Sequence, residues 1–160
     1  MRSALAAHAV LTDEPAPPPN RSMPANTVIP VLLYPDLRAA VAWLGAAFGF
    51  DERLRVGDHR AQLCFGSACI VAAQSDPPYP LGVNSTHATM VRVANLATHY
   101  RRATAAGARI ASAPTDYAFG ERQYTAVDLG GHVWTFSQTI ADCEPAAWGG
   151  QLIDAASGAP

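Results

Sequence analysis

Between residues 27 and 138 the apolar positions switch from a two-residue period to a three-to-four-residue period and back, and they do so twice. The run Thr27 to Tyr34 is rich in β-branched and aromatic residues, which predicts a strand, with Pro30 marking an edge or an irregular start. Leu37, Ala40, Val41, Leu44, Ala47 and Phe48 then recur at steps of three and four. A helix opening at Pro35-Asp36 would turn that stripe toward a sheet, and Gly49 would end it as a left-handed cap. Three short strands are predicted near Glu52 to Val56, Arg60 to Phe65 and Ala68 to Ala73, separated by the turn pairs Gly57-Asp58 and Gly66-Ser67.

After a Pro- and Gly-bearing linker from Ser75 to Ser85 the order repeats. Thr86 to Val93 alternates as a strand, Asn95 caps a helix running from Leu96 through Ala106, and Gly107 stops it. Strands follow near Arg109 to Ala113, Gln123 to Asp128 and His132 to Gln138. The stretch Leu33 to Leu37 maps onto Arg92 to Leu96 at an offset of 59 residues, and Gly49 onto Gly107 at 58. Such duplication predicts an α+β protein of two tandem βαβββ modules, about residues 26–75 and 85–140, each burying one helix on a mostly antiparallel sheet.

Composition narrows this picture at the ends and in the choice of partners. A chain of 160 residues has the size of one domain, and 49% apolar with 15% charged residues is globular. Residues 1–25 carry Pro15, Pro17, Pro18 and Pro19 and little bulky apolar surface, so a disordered tail is expected there. A second tail is expected over 141–160. The 11 basic residues are all arginine and are scattered, with a net charge of −2, which argues against nucleic acid as a partner. The early apolar stretch Ala4 to Leu11 is too short to span a membrane. Cys64, Cys69 and Cys143 form neither a Cys-x-x-Cys pair nor an even disulfide framework, which suits the cytoplasm and suggests that Cys64 and Cys69 are small core hydrophobes.

The segment Tyr117-Ala118-Phe119-Gly120-Glu121-Arg122-Gln123-Tyr124-Thr125, followed by Val127-Asp128-Leu129-Gly130-Gly131-His132-Val133-Trp134-Thr135-Phe136, carries more specific information. Together with the duplicated module it resembles the glyoxalase/bleomycin resistance/extradiol dioxygenase (vicinal oxygen chelate) superfamily, and within it an uncharacterised glyoxalase-like group. The resemblance spans roughly Thr27 to Ile140. It implies a cup-shaped sheet with the helices on its outer face, and a homodimer, since members with two short modules often complete the cup across a dimer interface. Gly130-Gly131 and Asp128 also have a purely structural reading as a tight hairpin turn.

The resemblance further implies four metal-ligand positions, which fall on Ile29, near Val71, on Ala88 and on Thr135. None of these is a good ligand for a divalent cation, so no metal and no cofactor are expected. His87 would reach the third position only by a one-residue slip, which would turn Arg92 into the helix-facing core. With this phase Val31, Leu33, Met90, Arg92, Val133, Thr135 and Ser137 face the cup, a mostly apolar wall with one cation. Arg92 and Arg122 are the candidate anchors for an anionic or oxygen-rich ligand, because a guanidinium presents a planar fork of donors. Arg122 has the alternative of a surface ion pair with Glu121 or Asp116. Phe119 and Tyr124, with Tyr117, could stack on a flat ligand or serve as core. Candidate ligand contacts are therefore Arg92, Arg122, Tyr124, Thr135, Met90 and Phe119. The function expected is metal-independent binding of a planar or anionic small molecule, in a sequestration or resistance role. The alternative is a lyase, isomerase or dioxygenase with an atypical site.

Overall fold

The computed structural model describes residues 20–75 and 88–150, so His87, most of the linker and both chain ends lie outside the described residues. Two modules of identical order are present. The first comprises β1 (Val31–Tyr34), α1 (Leu37–Phe48), β2 (Asp51–Val56), β3 (Arg60–Phe65) and β4 (Ala68–Gln74). The second comprises β5 (Thr89–Arg92), α2 (Leu96–Ala105), β6 (Arg109–Asp116), β7 (Glu121–Val127) and β8 (Val133–Thr139). Each forms a four-stranded sheet, ordered β1-β4-β3-β2 and β5-β8-β7-β6. The first strand of each module pairs in parallel with the last, and the remaining pairs are antiparallel. The duplicated α+β architecture expected from the repeat is therefore present.

The repeat extends to the helix starts. Asp36 caps α1 by accepting the Ala39 amide at 3.0 Å, and Asn95 caps α2 by accepting the Thr98 amide at 2.9 Å. A glutamine near the end of each module's last strand adds a second cap. Gln74 accepts the Leu37 amide and Gln138 accepts the Leu96 amide, at 2.9 and 2.6 Å. Each helix thus has two of its otherwise orphaned N-terminal donors satisfied, one of them by its own sheet.

Several boundaries differ from the sequence reading. β1 is four residues long rather than eight, because proline has no amide to donate to a ladder, although the Pro30 carbonyl still accepts the Val71 amide at 2.8 Å. β6 continues to Asp116 through two register shifts. Pro145–Trp148, in the segment without a clear period, forms a 3-10 turn. Asn20 to Ala25 fall in the stretch expected as a tail, yet the Arg21 and Ser22 carbonyls accept bonds from Arg53 (2.6 Å) and Gln62 (2.8 Å).

The cysteine reading requires a correction. Cys64 and Cys69 are directly opposed across the β3–β4 hairpin, with Cα atoms 4.0 Å apart, and are joined by a disulfide. A two-residue turn at Gly66-Ser67 makes 65 and 68 the closing pair, so 64 and 69 form the closely spaced pair without ladder bonds. The predicted Gly66-Ser67 turn already set this register, but the cysteine reading did not carry the register through to the pairing of 64 with 69.

The core is aromatic and is shared by both modules. Phe48, at the end of α1, contacts Trp134 and Phe136 of β8 and Trp43 of its own helix, and all but Trp43 are fully buried. His99 of α2 lies 4.2 Å from Phe136 by ring centroid. Its Nε2 faces the Phe48 carbonyl at 2.9 Å, so that nitrogen carries the proton, and Nδ1 accepts from the Tyr124 hydroxyl at 2.7 Å. Burial holds the His99 pKa below its ordinary value, against the bond to Phe48 and with the help of the Arg102 charge. A base with a depressed folded pKa stabilises the fold above its unfolded value, and that contribution is lost as pH falls toward the folded one.

The modules are tied again by Asp128. Its Oδ2 accepts from the Tyr34 hydroxyl of β1 at 2.7 Å and from the Trp134 indole N–H at 2.9 Å, while Oδ1 accepts the amides of Gly130 and His132. His132 Nε2 reaches the Leu33 carbonyl at 2.8 Å. Gly130 is required at the turn, since a Cβ there would stand 2.8 Å from the Tyr34 ring. Replacing Asp128 with alanine strands the hydroxyl and the indole N–H, at about 1–3 kcal/mol each. Urea unfolding of Asp128→Ala at pH 7 is expected to show a loss of at least about 3 kcal/mol; a loss near zero would show that this junction contributes little.

Candidate functional site

Strand alternation sorts the side chains of the second sheet onto two faces. Trp134, Phe136, Tyr124 and Ala126 are wholly buried on the face that packs against the helices. The register pairs Met90 with Thr135, Arg92 with Ser137 and Gln123 with Ser137, and these residues occupy the opposite face. In the first sheet Leu32 and Tyr34 are buried, whereas Val31 and Leu33 are exposed on the face away from α1. The phase expected for Val31, Leu33, Met90, Arg92, Thr135 and Ser137 is the one observed.

A cavity of about 470 Å³ opens at the seam between the modules. One wall is the whole of β5, including Met90 and Arg92; another is the β3–β4 hairpin tip from Phe65 to Ile70; Phe50 and the segment leading into β1 complete it. Asn26 fixes that segment, its side-chain oxygen accepting the Cys69 amide and its NH2 donating to the Cys69 carbonyl, both at 3.1 Å. The lining is apolar apart from a few groups, among which Arg92 supplies the charge. That is the general makeup of a small-molecule pocket.

Arg92 also borders a second hollow, of about 350 Å³, with Ser137, Gln138 and Thr139. Beside it the Glu121 carboxylate accepts from the hydroxyls of Ser137 and Thr139, both at 2.5 Å, and Arg92 donates to Thr139 Oγ1 at 3.3 Å. The bonds from Ser137 and then Thr139 hold the Glu121 pKa below the ordinary carboxylate range, partial burial opposes them, and the Arg92 charge assists. Glu121, which has no partner visible in the sequence, thus belongs to a polar cluster assembled by the β7–β8 register.

The other candidates lie elsewhere. Tyr124 is a correction: it is on the helix-facing side, wholly buried, stacked on Phe136 and bonded to His99, so it cannot meet a ligand in the seam. Burial pushes its phenol pKa well up. Arg122 is also on the helix side, where it grips Asp116 with two nitrogens in an exposed ion pair beside α2, apart from Arg92. Phe119 stacks on Tyr117 at 5.2 Å and meets Trp148 edge-on at 5.6 Å, in a cluster at the β6–β7 turn. Thr135 faces the same side as Met90, with its hydroxyl 3.4 Å from that of Thr125. Asn26, Phe50, Phe65 and Cys69 entered the cavity without a local signal, since only the packing of one module on the other brings them to β5.

Three of the positions implied as metal ligands, Ile29, Val71 and Ala88, carry hydrocarbon side chains, and the fourth, Thr135, a neutral hydroxyl. Among the described residues no group of three His, Cys, Asp or Glu side chains is placed to hold a metal ion. The residues present do not fit the metal centre that the resemblance describes.

Comparison with known proteins agrees with this architecture. Residues 25–136 match the family model of the Glyoxalase/Bleomycin resistance protein/Dioxygenase superfamily. The chain therefore belongs to that superfamily. Among solved structures, TioX from Micromonospora sp. ML1 is 32% identical and aligns over 74% of this chain and 100% of its own, with a TM-score of 0.60. A glyoxalase/bleomycin resistance protein/dioxygenase from Nocardioides is 20% identical over 79% of this chain and 90% of its own, with the same TM-score. The genomically encoded fosfomycin resistance protein FosX from Listeria monocytogenes, 14% identical over 72% and 94%, has a TM-score of 0.59 and shows the fold alone. No curated protein matches the chain. Among the described residues no helix is long and apolar enough to cross a membrane.

Because the folded Glu121 pKa is depressed, its stabilising contribution is present above the unfolded carboxylate range and is lost as pH falls through the folded value. Carbon-13 NMR titration of the Glu121 carboxyl is expected to place its midpoint below the ordinary range, and Ser137→Ala is expected to raise it. An unchanged midpoint in Ser137→Ala would dismantle the cluster as described.

Proposed function

We propose that this protein binds a small, flat, anionic organic molecule in the seam cavity without a metal ion, in a sequestration or resistance role. The observation that carries the reading is the cavity itself, about 470 Å³ of mostly apolar wall with Arg92 at its edge. That volume falls within the range of drug-sized ligand sites. Phe50 and Phe65 supply aromatic surface, and the Arg92 guanidinium supplies a planar fork for a carboxylate or enolate-like oxygen. The superfamily to which the chain belongs includes bleomycin resistance proteins, which is in keeping with the role.

In the same reading the protein is a homodimer. Val31, Leu33 and Met90 are 51%, 41% and 61% exposed on the face away from the helices, and a second copy would cover them. A cytoplasmic setting belongs to this reading too, and it places Cys64 and Cys69 under reducing conditions. One arrangement favours a second reading, metal-free catalysis: the Glu121 carboxylate, held by two hydroxyls beside Arg92, has the placement of a general base. Turnover of hemithioacetals, catechols or acyl-CoA thioesters that is abolished in Glu121→Gln would establish it.

Thermal-shift screening against planar aromatic carboxylates is expected to yield ligands that raise the melting temperature by mass action. Loss of a charge-assisted bond in Arg92→Ala should weaken such a ligand roughly 10-fold or more, whereas Arg122→Ala should leave Kd unchanged. Equal effects of the two substitutions, or stoichiometric zinc, nickel, iron or manganese retained on purification, would overturn the proposal.

A further inference from the structure

The disulfide sits in a telling place. It joins the two residues immediately behind the β3–β4 turn, and the hairpin tip that it staples, Phe65 to Ile70, forms one wall of the seam cavity. Cys69 is itself a lining residue, and its main-chain amide and carbonyl are the groups that Asn26 clamps. Position 69 thus receives the side-chain staple from β3 on one edge and the Asn26 fork on the other. The opposed pair 64 and 69 has no ladder bonds of its own, so the disulfide takes the place that backbone bonding leaves open.

We infer that Cys64–Cys69 is a thiol-exchange site in the wall of the ligand cavity, taking small organic dithiols as reductants, and that its opening loosens the wall and weakens ligand capture. The second half of this inference rests on the binding function proposed above; the exchange chemistry does not. Cys69 is only 8% exposed and Cys64 is half-buried, which directs attack to the Cys64 sulfur. A thiolate of the reductant bonds to Cys64 Sγ while the S–S bond breaks, and its electron pair leaves on Cys69 Sγ, which takes a proton. The second thiolate of the reductant then attacks its own sulfur in the mixed disulfide. The reductant leaves as a disulfide, and Cys64 is released as a thiol after protonation. Two electrons and two protons pass to the protein, and an oxidised dithiol reverses the sequence.

Reduction does not unfold the module. The loop enclosed is short, Gly66-Ser67 still closes the hairpin, and the rest of β3 and β4 remains paired from Arg60 to Leu63 with Ile70 to Ala73. The effect is local: the sulfur link is lost, and the tip is held by the turn and by Asn26. Cys143, the free cysteine among the described residues, stands near Gly120 in the other module and takes no part.

The test uses the full chain with Cys143→Ser, equilibrated with oxidised or with reduced dithiothreitol. Alkylation and intact mass should count two reactive thiols in the reduced state and none in the oxidised state, reversibly. Amide hydrogen exchange over residues 65–70 should accelerate about 10-fold or more on reduction, with the remaining strands unchanged. Fluorescence titration with 8-anilinonaphthalene-1-sulfonate, an aromatic anion of suitable size, should give a Kd at least threefold weaker in the reduced state. The double variant Cys64→Ser/Cys69→Ser should match the reduced protein in both reductant conditions. Two free thiols in oxidised dithiothreitol, or exchange and dye affinity that ignore the redox state, would overturn the inference. Faster exchange on reduction with no dye bound in either state would uphold the exchange site and overturn the binding function instead.

Discussion

The buried carboxylate of Asp128 is the constraint on which the relation of the two modules depends. It collects four donors from three places: its own turn, the Trp134 indole of β8, and the Tyr34 hydroxyl of the other module. An anion in a dry environment is tolerated only when its lone pairs are occupied, so removing any donor raises the cost of all that remain. The consequence is geometric. Tyr34 ends β1, Trp134 lies near the start of β8, and fixing these two aligns the exposed edge of β1 with the β5 edge that β8 carries. His132, donating to the Leu33 carbonyl, repeats the tie one residue away.

A second tie operates on the helix side. His99 connects Tyr124 to the Phe48 carbonyl, Trp43 donates to the Ala106 carbonyl at 3.1 Å, and Arg102 caps the end of α1 through the carbonyls of Gly45 and Ala46. These bonds satisfy acceptors that a helix C-terminus leaves open, using donors from the other helix. The Asp128 junction and the helix pair thus tie the two modules through separate sets of bonds. Phe50, immediately after the Gly49 cap, packs 5.4 Å from Trp134 and lines the seam cavity.

What was legible in the sequence followed from local physics. Periodicity and capping residues gave both helices nearly to the residue, because Asp36, Asn95 and Gly49 act within a few positions of themselves. The duplicated order followed from the same signals met twice, and the alternation around Trp134 and Phe136 set the faces correctly. Features that arise across strands were not legible. Tyr124 reads like its neighbours in an aromatic-rich segment, yet the β7–β8 register opposite Phe136 turns it into the core. The Cys64–Cys69 pairing needed the hairpin register, and the partners of Glu121 needed β8 to be placed beside β7. Arg122 differs from Arg92 only in the face that its strand presents, and one residue of alternation separates a surface ion pair from a cavity edge.

That last difference bears on the metal-free binding proposed above. The positions that the family resemblance implies as metal ligands, Ile29, near Val71, Ala88 and Thr135, present an apolar and weakly polar surface. An apolar surface contributes affinity in proportion to area but little orientation, so orientation has to come from a small number of polar groups. In the binding mode proposed above Arg92 would meet that need, since it borders both hollows, donates to the Thr139 hydroxyl and lies near the Glu121 charge. Among the described residues the guanidinium makes one long side-chain hydrogen bond, which would leave most of its donors for the anion proposed above, while the neighbouring carboxylate is occupied by two hydroxyls and forms no direct ion pair with it. The polar cluster thus holds a cation at the cavity edge in the form that the proposed anion binding requires.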